Sequence, residues 1–185
     1  MVETIYELDF SILYLIAENL RSDVLTAVMA VFTYAGNGGA VWIAIALAML
    51  FSKRHRKLGI AMAIGLVICL LLGNLGLKPL IARDRPFIAD PSLQTLIPYP
   101  SGYSFPSGHT FSSVVSATVI WRYSKKAAMI AVPAAVIIAF SRLYFCVHFP
   151  TDVLAGAVLG IAAGFGAYAV TEKYLCGKRE ENPTE

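Results

Sequence analysis

Three short stretches hold most of the side chains that could do chemistry in an otherwise apolar chain: "KPLIARDRP" at 78–86, "YSFPSGHT" at 103–110 and "SRLYFCVHFPTD" at 141–152. Lys78, Arg85 and Arg142 are cations, and an arginine fork matches two oxygens of a phosphate through charge-assisted bonds. Ser107 and Gly108 stand where a helix begins. The free N–H groups of such an end bind anions, Ser107 can add its hydroxyl, and Gly108 lets an oxyanion approach. Asp152 follows His148 by four residues with Pro150 in the first turn, so the carboxylate can reach the ring, fix its tautomer and stabilise its positive charge. Two histidines, a carboxylate, three cations and a helix N-terminus make a set suited to in-line phosphoryl transfer without a metal. In it His148 attacks phosphorus, His109 protonates the leaving oxygen and later activates water, and the cations hold the equatorial oxygens.

The elements that must position these groups are membrane helices. Of 185 residues 57% are hydrophobic and 15% charged, against about 25% charged in a soluble domain. Apolar stretches of spanning length occur at 24–51, 58–77, 127–141 and 153–171, and a fifth forms if 110–121 starts near Pro106. The Gly36-Asn37-Gly38-Gly39 break divides the first stretch into halves too short to span alone, so one tilted or kinked helix is expected. The N-terminal segment carries Glu3, Glu7, Asp9 and Glu18 and does not resemble a cleavable signal. Its Ile5, Leu8, Ile12, Leu15 and Ile16 recur at helical spacing, which predicts an amphipathic helix along the membrane surface, with a partial sixth span as the alternative. The expected fold is therefore all-α: an integral membrane bundle of about five to six transmembrane helices, forming one domain over 1–177 with a polar, disordered tail at 178–185.

Threading five spans places ten of the 15 Lys and Arg on one face (Lys53, Arg54, Arg56, Lys57, Arg122, Lys125, Lys126, Lys173, Lys178, Arg179) and Arg21, Lys78, Arg83, Arg85 and Arg142 on the other. The positive-inside rule makes the first face cytoplasmic, and all three motifs fall on the outer face. Charges near membrane depth are costly and mark polar sites.

At these residues the chain resembles the type-II phosphatidic acid phosphatase superfamily, whose signature is K-x6-R-P, P-S-G-H and S-R-x5-H-x3-D. The matches are Lys78 with Arg85-Pro86, then 106–109, then Ser141-Arg142 with His148 and Asp152, across about two-fifths of the chain. The resemblance implies a helical bundle with its pocket at the membrane surface, no metal or other cofactor, and His148 as nucleophile, oriented by Asp152 with His109 as acid and base. It assigns Lys78, Arg85, Ser107, Gly108 and Arg142 to phosphate. The signature is shared with vanadate-dependent haloperoxidases, disfavoured by the small size and membrane composition, and with glucose-6-phosphatase, usually a longer bundle.

The expected function is removal of a terminal phosphate from a lipid phosphate or pyrophosphate at the outer face of a bacterial cell (inner) membrane, on the extracellular or periplasmic side. Undecaprenyl diphosphate is the favoured substrate, with phosphatidylglycerophosphate, phosphatidate and lysophosphatidate as alternatives. A non-catalytic lipid-phosphate binder or transporter would use the same cations but would not require two histidines and Asp152; a transporter would more usually show repeats and a midplane site. Expected partners are the lipid substrate and membrane lipids, with no nucleic acid. Gly156, Gly160, Gly164 and Gly166 form a small-residue face for helix packing, with a homodimer as its other use. Cys69, Cys146 and Cys176 lack metal-ligand spacing and are read as packing residues, and His55 as a cytoplasmic-loop residue. Arg83 and Asp84 are read as a mutual surface pair. Tyr99, Tyr103 and Phe105 either line a lipid entrance or anchor at the interface. The proline-bearing 87–103 loop is either a lid or substrate-selecting surface, or a passive linker.

Overall fold

A computed structural model describes residues 2–176; the 178–185 tail, the domain boundary before it, and Lys178 and Arg179 of the charge count lie outside the described residues. The helices, numbered along the chain, are α1 (Val2–Asn19), α2 (Asp23–Ala35), α3 (Ala40–Phe51), α4 (Arg56–Ile68), α5 (Lys78–Ile81), α6 (Pro86–Ala89), α7 (Gly108–Tyr123), α8 (Lys125–Tyr144) and α9 (Pro150–Cys176). A 3-10 turn, Asn37–Gly39, joins α2 to α3, and a π-helical stretch, Cys69–Leu77, runs from α4 into α5. Among the described residues there are no strands, so the all-α expectation holds.

Serines set several helix starts: the side chains of Ser22, Ser107 and Ser124 accept N–H bonds from Leu25, Thr110 and Ala127, satisfying donors that the first turn leaves orphaned. The break between α2 and α3 has glycine's signature, with Gly38 and Gly39 at φ of 59° and 73°. The helices on either side meet at 47°, giving the kink expected of the first long stretch. By length and composition three helical segments can cross a membrane, 56–89, 125–144 and 150–175, or four if the bent pair is one span.

The fifth expected span, α7, has 16 residues and is short for a bilayer. It is the centre of the bundle, packed against α9, α8 and α4, and so heavily buried that it carries Thr110, Ser112, Ser113 and Ser116 inside. One of these hydroxyls, that of Ser113, accepts the Trp42 indole N–H at 2.8 Å. Around α7 the main core joins Trp42, Ala46, Ala61, Met62, Val119, Ile120 and Ile138. The small-residue face of α9 closes on α7: a methyl at Gly156, Gly160 or Gly164 would come within 2.6–2.8 Å of Ser107 O, Val114 Cβ or Thr118 Cβ, whereas one at Gly166 would meet nothing. Three of the four glycines therefore serve packing inside the chain.

The N-terminal segment is helical, as expected, and its apolar residues divide between an inward and an outward side. Asp9, Leu13 and Ile16 are buried, while Ile5, Leu8 and Leu15 point outward. The period was legible, and the inward face was not, because a buried aspartate reads as polar until its partners are placed. Cys69 and Cys146 are free and buried, in keeping with a packing role; the side chain of Cys176 lies outside the described residues.

Candidate active site

Two helix starts and a helix end converge at one end of the bundle. Helix α9 begins at Pro150, where a missing N–H costs nothing. Asp152 in its first turn accepts the Phe149 N–H at 2.9 Å, so this carboxylate shapes the turn that holds His148. His148, buried among α8, α9 and the 101–104 loop, places Nδ1 3.5 Å from Asp152 Oδ2 and 3.4 Å from Ser104 Oγ. Ser104 donates its hydroxyl to the same carboxylate oxygen. With a carboxylate as acceptor, Nδ1 carries the proton and Nε2 presents its lone pair, 3.3 Å from Arg85 Nη1. Burial is the main cause that pulls the imidazole down to about 3; the Asp152 hydrogen bond opposes it, and the charges of Arg85 and Arg142 add to it. His148 is thus neutral at ordinary pH.

His109, in the first turn of α7, points its Nε2 at the Thr33 carbonyl, 3.1 Å away, and at Asn37 Oδ1, 2.9 Å away. Two acceptors place a proton on Nε2, and among the described residues Nδ1 has no protein partner. A methyl at Gly36 would sit 2.8 Å from the ring, so a glycine is needed there to let the end of α2 approach.

Both histidines line one cavity of about 710 Å³, together with Lys78, Arg85, Arg142 and Gly108. Among the described residues none of the three cations has a carboxylate within 4 Å. Arg142 is buried, donates Nη1 to Thr33 Oγ1, and has no partner for Nε. Arg85 is more occupied: its guanidinium donates to the carbonyls of Ser101, Gly102, Tyr103 and Val147 at 2.8–3.4 Å. It therefore braces the His148 loop against the 101–103 loop as well as facing the cavity. Lys78 arrives by way of the π-helical stretch, whose wider turn keeps Leu70, Asn74 and Lys78 all on the cavity wall.

Ser107 does not line the cavity. Its N–H donates to the Asp152 carbonyl at 3.1 Å, and its Oγ accepts from the Thr110 hydroxyl at 3.0 Å. The orphan N–H groups of α7 are then those of Gly108 and His109. A methyl on Gly108 would approach Asn74 Oδ1 to 3.2 Å and Lys78 Nζ to 3.9 Å, so these groups converge on one spot. A cavity combining three cations free of carboxylates, two helix N–H groups and a carboxylate-backed imidazole can take an anion and offer it a nitrogen lone pair.

Sequence reasoning missed five contributors: Thr33, Asn37, Ser104, Arg83 and Asp9. Ser104 and Asn37 carried a local signal, one within a motif and the other within the glycine break. Arg83 is a correction, since it pairs with Asp9 and Asp152, each at 2.7 Å, while Asp84 is exposed. The reason is topological: residue 83 lies in the bend between α5 and α6, whose curvature turns it inward beneath α9. The 87–103 loop supplies Ile97, Pro98, Pro100 and Ser101 to the cavity wall and so does more than link. Tyr99 stacks on Phe87 with ring centroids 4.7 Å apart and is largely exposed.

The undecaprenyl-diphosphatase of Sulfolobus acidocaldarius is 38% identical over 121 residues, covering 65% of this chain and 58% of that protein, so the chain spans less than three-fifths of that relative's length. The solved structure of a transmembrane PAP2-type phosphatidylglycerolphosphate phosphatase from Bacillus subtilis superposes with a TM-score of 0.74 at 28% identity, over 92% of this chain and 87% of that one. LpxE of Aquifex aeolicus superposes with a TM-score of 0.72 at 28% identity, over 88% and 95% of the two chains. The PAP2 superfamily model matches residues 54–175, the segment that holds all three motifs, and the chain belongs to the PAP2 superfamily.

Proposed function

We propose that this chain is a membrane lipid-phosphate phosphatase that works through a phosphohistidine on His148 and draws its charge stabilisation from protein cations. The observation that carries the reading is a cavity that changes character along its length. One end holds His148, His109 and three cations without carboxylates, and the rest runs between α3 and the 66–70 segment along Ile43, Leu47, Leu50, Leu66, Val67 and Leu70. Such a shape suits a phosphate with an apolar chain attached.

In the first step the Nε2 lone pair of His148 attacks the terminal phosphorus, and the P–O bond to the lipid breaks. His109 enters this step doubly protonated: it keeps the Nε2 proton on Thr33 and Asn37 and gives its Nδ1 proton to the leaving oxygen, while Asp152 balances the charge gained by the His148 ring. Arg142, Lys78, Arg85 and the N–H groups of Gly108 and His109 hold the equatorial oxygens. In the second step His109 removes a proton from water, the new O–P bond forms and the P–N bond breaks, returning the electron pair to Nε2 and releasing inorganic phosphate.

Undecaprenyl diphosphate is the best substrate, yielding undecaprenyl phosphate, with phosphatidylglycerophosphate and phosphatidate as alternatives. Support comes from the functions named for similar proteins and from the apolar length of the cavity. The charge distribution supports an outward-facing site: the α3–α4 and α7–α8 junctions, rich in Lys and Arg, lie at the chain reversals opposite the site.

The test is phosphate release in detergent with excess EDTA from undecaprenyl diphosphate, phosphatidylglycerophosphate and phosphatidate in parallel, with His148→Ala as blank. Release that survives EDTA and disappears in the variant is expected, and the ranking of rates selects the substrate. Full activity in His148→Ala overturns the mechanism. Folded protein that binds these lipids without turning any of them over would instead indicate a binder or transporter.

A further inference from the structure

Behind His148 the structure continues into a chain of charges that reaches the N-terminal helix. Asp152 is buried, with Oδ2 engaged by Ser104, the Phe149 N–H and the His148 ring, and Oδ1 receives Arg83 Nη1 at 2.7 Å. The other arm of the fork, Arg83 Nη2, reaches Asp9 Oδ2 at 2.7 Å. Asp9 is 1% exposed and is held further by the Thr151 N–H at 3.0 Å and the Thr151 hydroxyl at 2.5 Å. The Arg83 hydrogen bond to Thr151 Oγ1, 2.7 Å, closes the network, and the Phe149 ring lies 4.0 Å below the guanidinium carbon. A planar fork bridging two carboxylates cannot turn freely, so α1 fixes the direction in which Asp152 is pulled.

The net charge of the chain matters as much as its geometry. Arg83 alone beside Asp152 would cancel the negative charge that a positively charged His148 ring needs. With Asp9 on its other arm, the Asp9–Arg83–Asp152 group keeps one net negative charge directed at the imidazole. The stabilisation appears only once the ring has formed its bond to phosphorus, because His148 is neutral before that.

We propose that Asp9 of α1, acting through Arg83, is a positioning residue that keeps Asp152 oriented and negatively charged toward His148, making the N-terminal helix a working part of the catalytic apparatus. The inference rests on the phosphohistidine reading of His148 for its meaning in turnover, and its test includes a readout that does not need turnover.

The variants are Asp9→Asn, Asp9→Glu, Arg83→Lys and Thr151→Val in the full-length protein, each compared with the wild type for kcat, KM, and affinity for inorganic phosphate and orthovanadate. Orthovanadate, a five-coordinate mimic of the transferring phosphoryl group, senses the charge on the attacking ring, whereas phosphate senses the cations. Asp9→Asn is expected to lower kcat about tenfold, the scale of one unit charge a few ångströms beyond Asp152 at an effective dielectric of about 20. KM and phosphate affinity should stay within about twofold, vanadate should bind about tenfold more weakly, and Asp9→Glu should recover most of the loss. Thr151→Val keeps both charges and should lose no more than about threefold.

Wild-type kcat and vanadate affinity in Asp9→Asn overturn the proposal, as does a Thr151→Val loss as large as that of Asp9→Asn, which would reduce the contact to packing. If Asp9→Asn does not fold, Arg83→Lys decides, because lysine keeps the charge but cannot bridge both carboxylates, and wild-type kcat there is equally fatal. A wild type that releases no phosphate removes the phosphatase reading, and the vanadate-to-phosphate affinity ratio still decides the role of Asp9.

Discussion

Replacing Arg142 by methionine should make the ligand-free protein more stable while destroying its ability to hold phosphate. Arg142 is 2% exposed, and among the described residues its side chain makes one hydrogen bond, to Thr33, leaves Nε without a partner and has no carboxylate within 4 Å. A buried cation without a counter-charge carries an effective penalty of several kcal/mol after relaxation and water entry, and methionine keeps much of the apolar stem. Loss of the Thr33 bond returns about 1 kcal/mol, so the net gain should be about 1–3 kcal/mol. For a chain of this size a gain of 1 kcal/mol raises Tm by about 2–4 °C, so R142M should melt about 2–12 °C above wild type without anions. Saturating phosphate then closes the gap or reverses the order: at a hundred times Kd it stabilises wild type by about 2.7 kcal/mol and should leave R142M nearly unmoved. The assay is tryptophan-fluorescence melting in detergent, with and without phosphate. If R142M melts below wild type in anion-free buffer, or gains as much from phosphate as wild type does, Arg142 is a structural residue and the charge argument for the cavity fails.

Two more outcomes follow from the geometry. With His148 held down at about 3 by burial, the acid limb of kcat/KM that it causes should lie well below the usual histidine range, and a His148 ring titrating near 6.5 by NMR would refute the burial argument. The sign for stability is fixed by the same shift: the unfolded chain takes up the proton near pH 6.5 and the folded chain only near 3, so the contribution is complete above 6.5 and is lost as pH falls toward 3, measurable by denaturation at pH 7, 5 and 4. Gly160→Ala would press a methyl to 2.7 Å from Val114 Cβ and 3.1 Å from the Phe111 carbonyl, and should cost about 1–3 kcal/mol in melting. Gly166→Ala, where a methyl meets nothing, should be close to neutral, and equal effects at the two positions would mean that α9 does not pack as described.

What the sequence could determine by itself is set by local physics. Runs of about 20 apolar residues force helices because a bilayer leaves no other way to satisfy the backbone, and a Gly-Asn-Gly-Gly run breaks a helix wherever it occurs. The His148–Asp152 pair was readable for the same reason, since four residues at a helix start bring two side chains together whatever surrounds them. The three motifs contained both histidines and the three cations of the cavity, and threading five spans predicts them at one end of the bundle.

Only the tertiary structure decided which atoms those groups face. Asp9 lies 143 positions before Asp152, and no spacing rule connects them; they meet because α1 packs against α8 and α9 and the α5–α6 bend carries Arg83 between them. The proton position on His109 depends on the carbonyl of Thr33 and on Asn37, 76 and 72 positions away along the chain. Arg85 and Arg142 look alike in sequence, yet one is largely tied to loop carbonyls and the other keeps an open donor beside the cavity. A local pattern fixes what a residue can do, because bonding capacity belongs to the side chain. Its partners belong to the packing, because a buried polar group takes whichever counterpart the fold brings within about 3 Å.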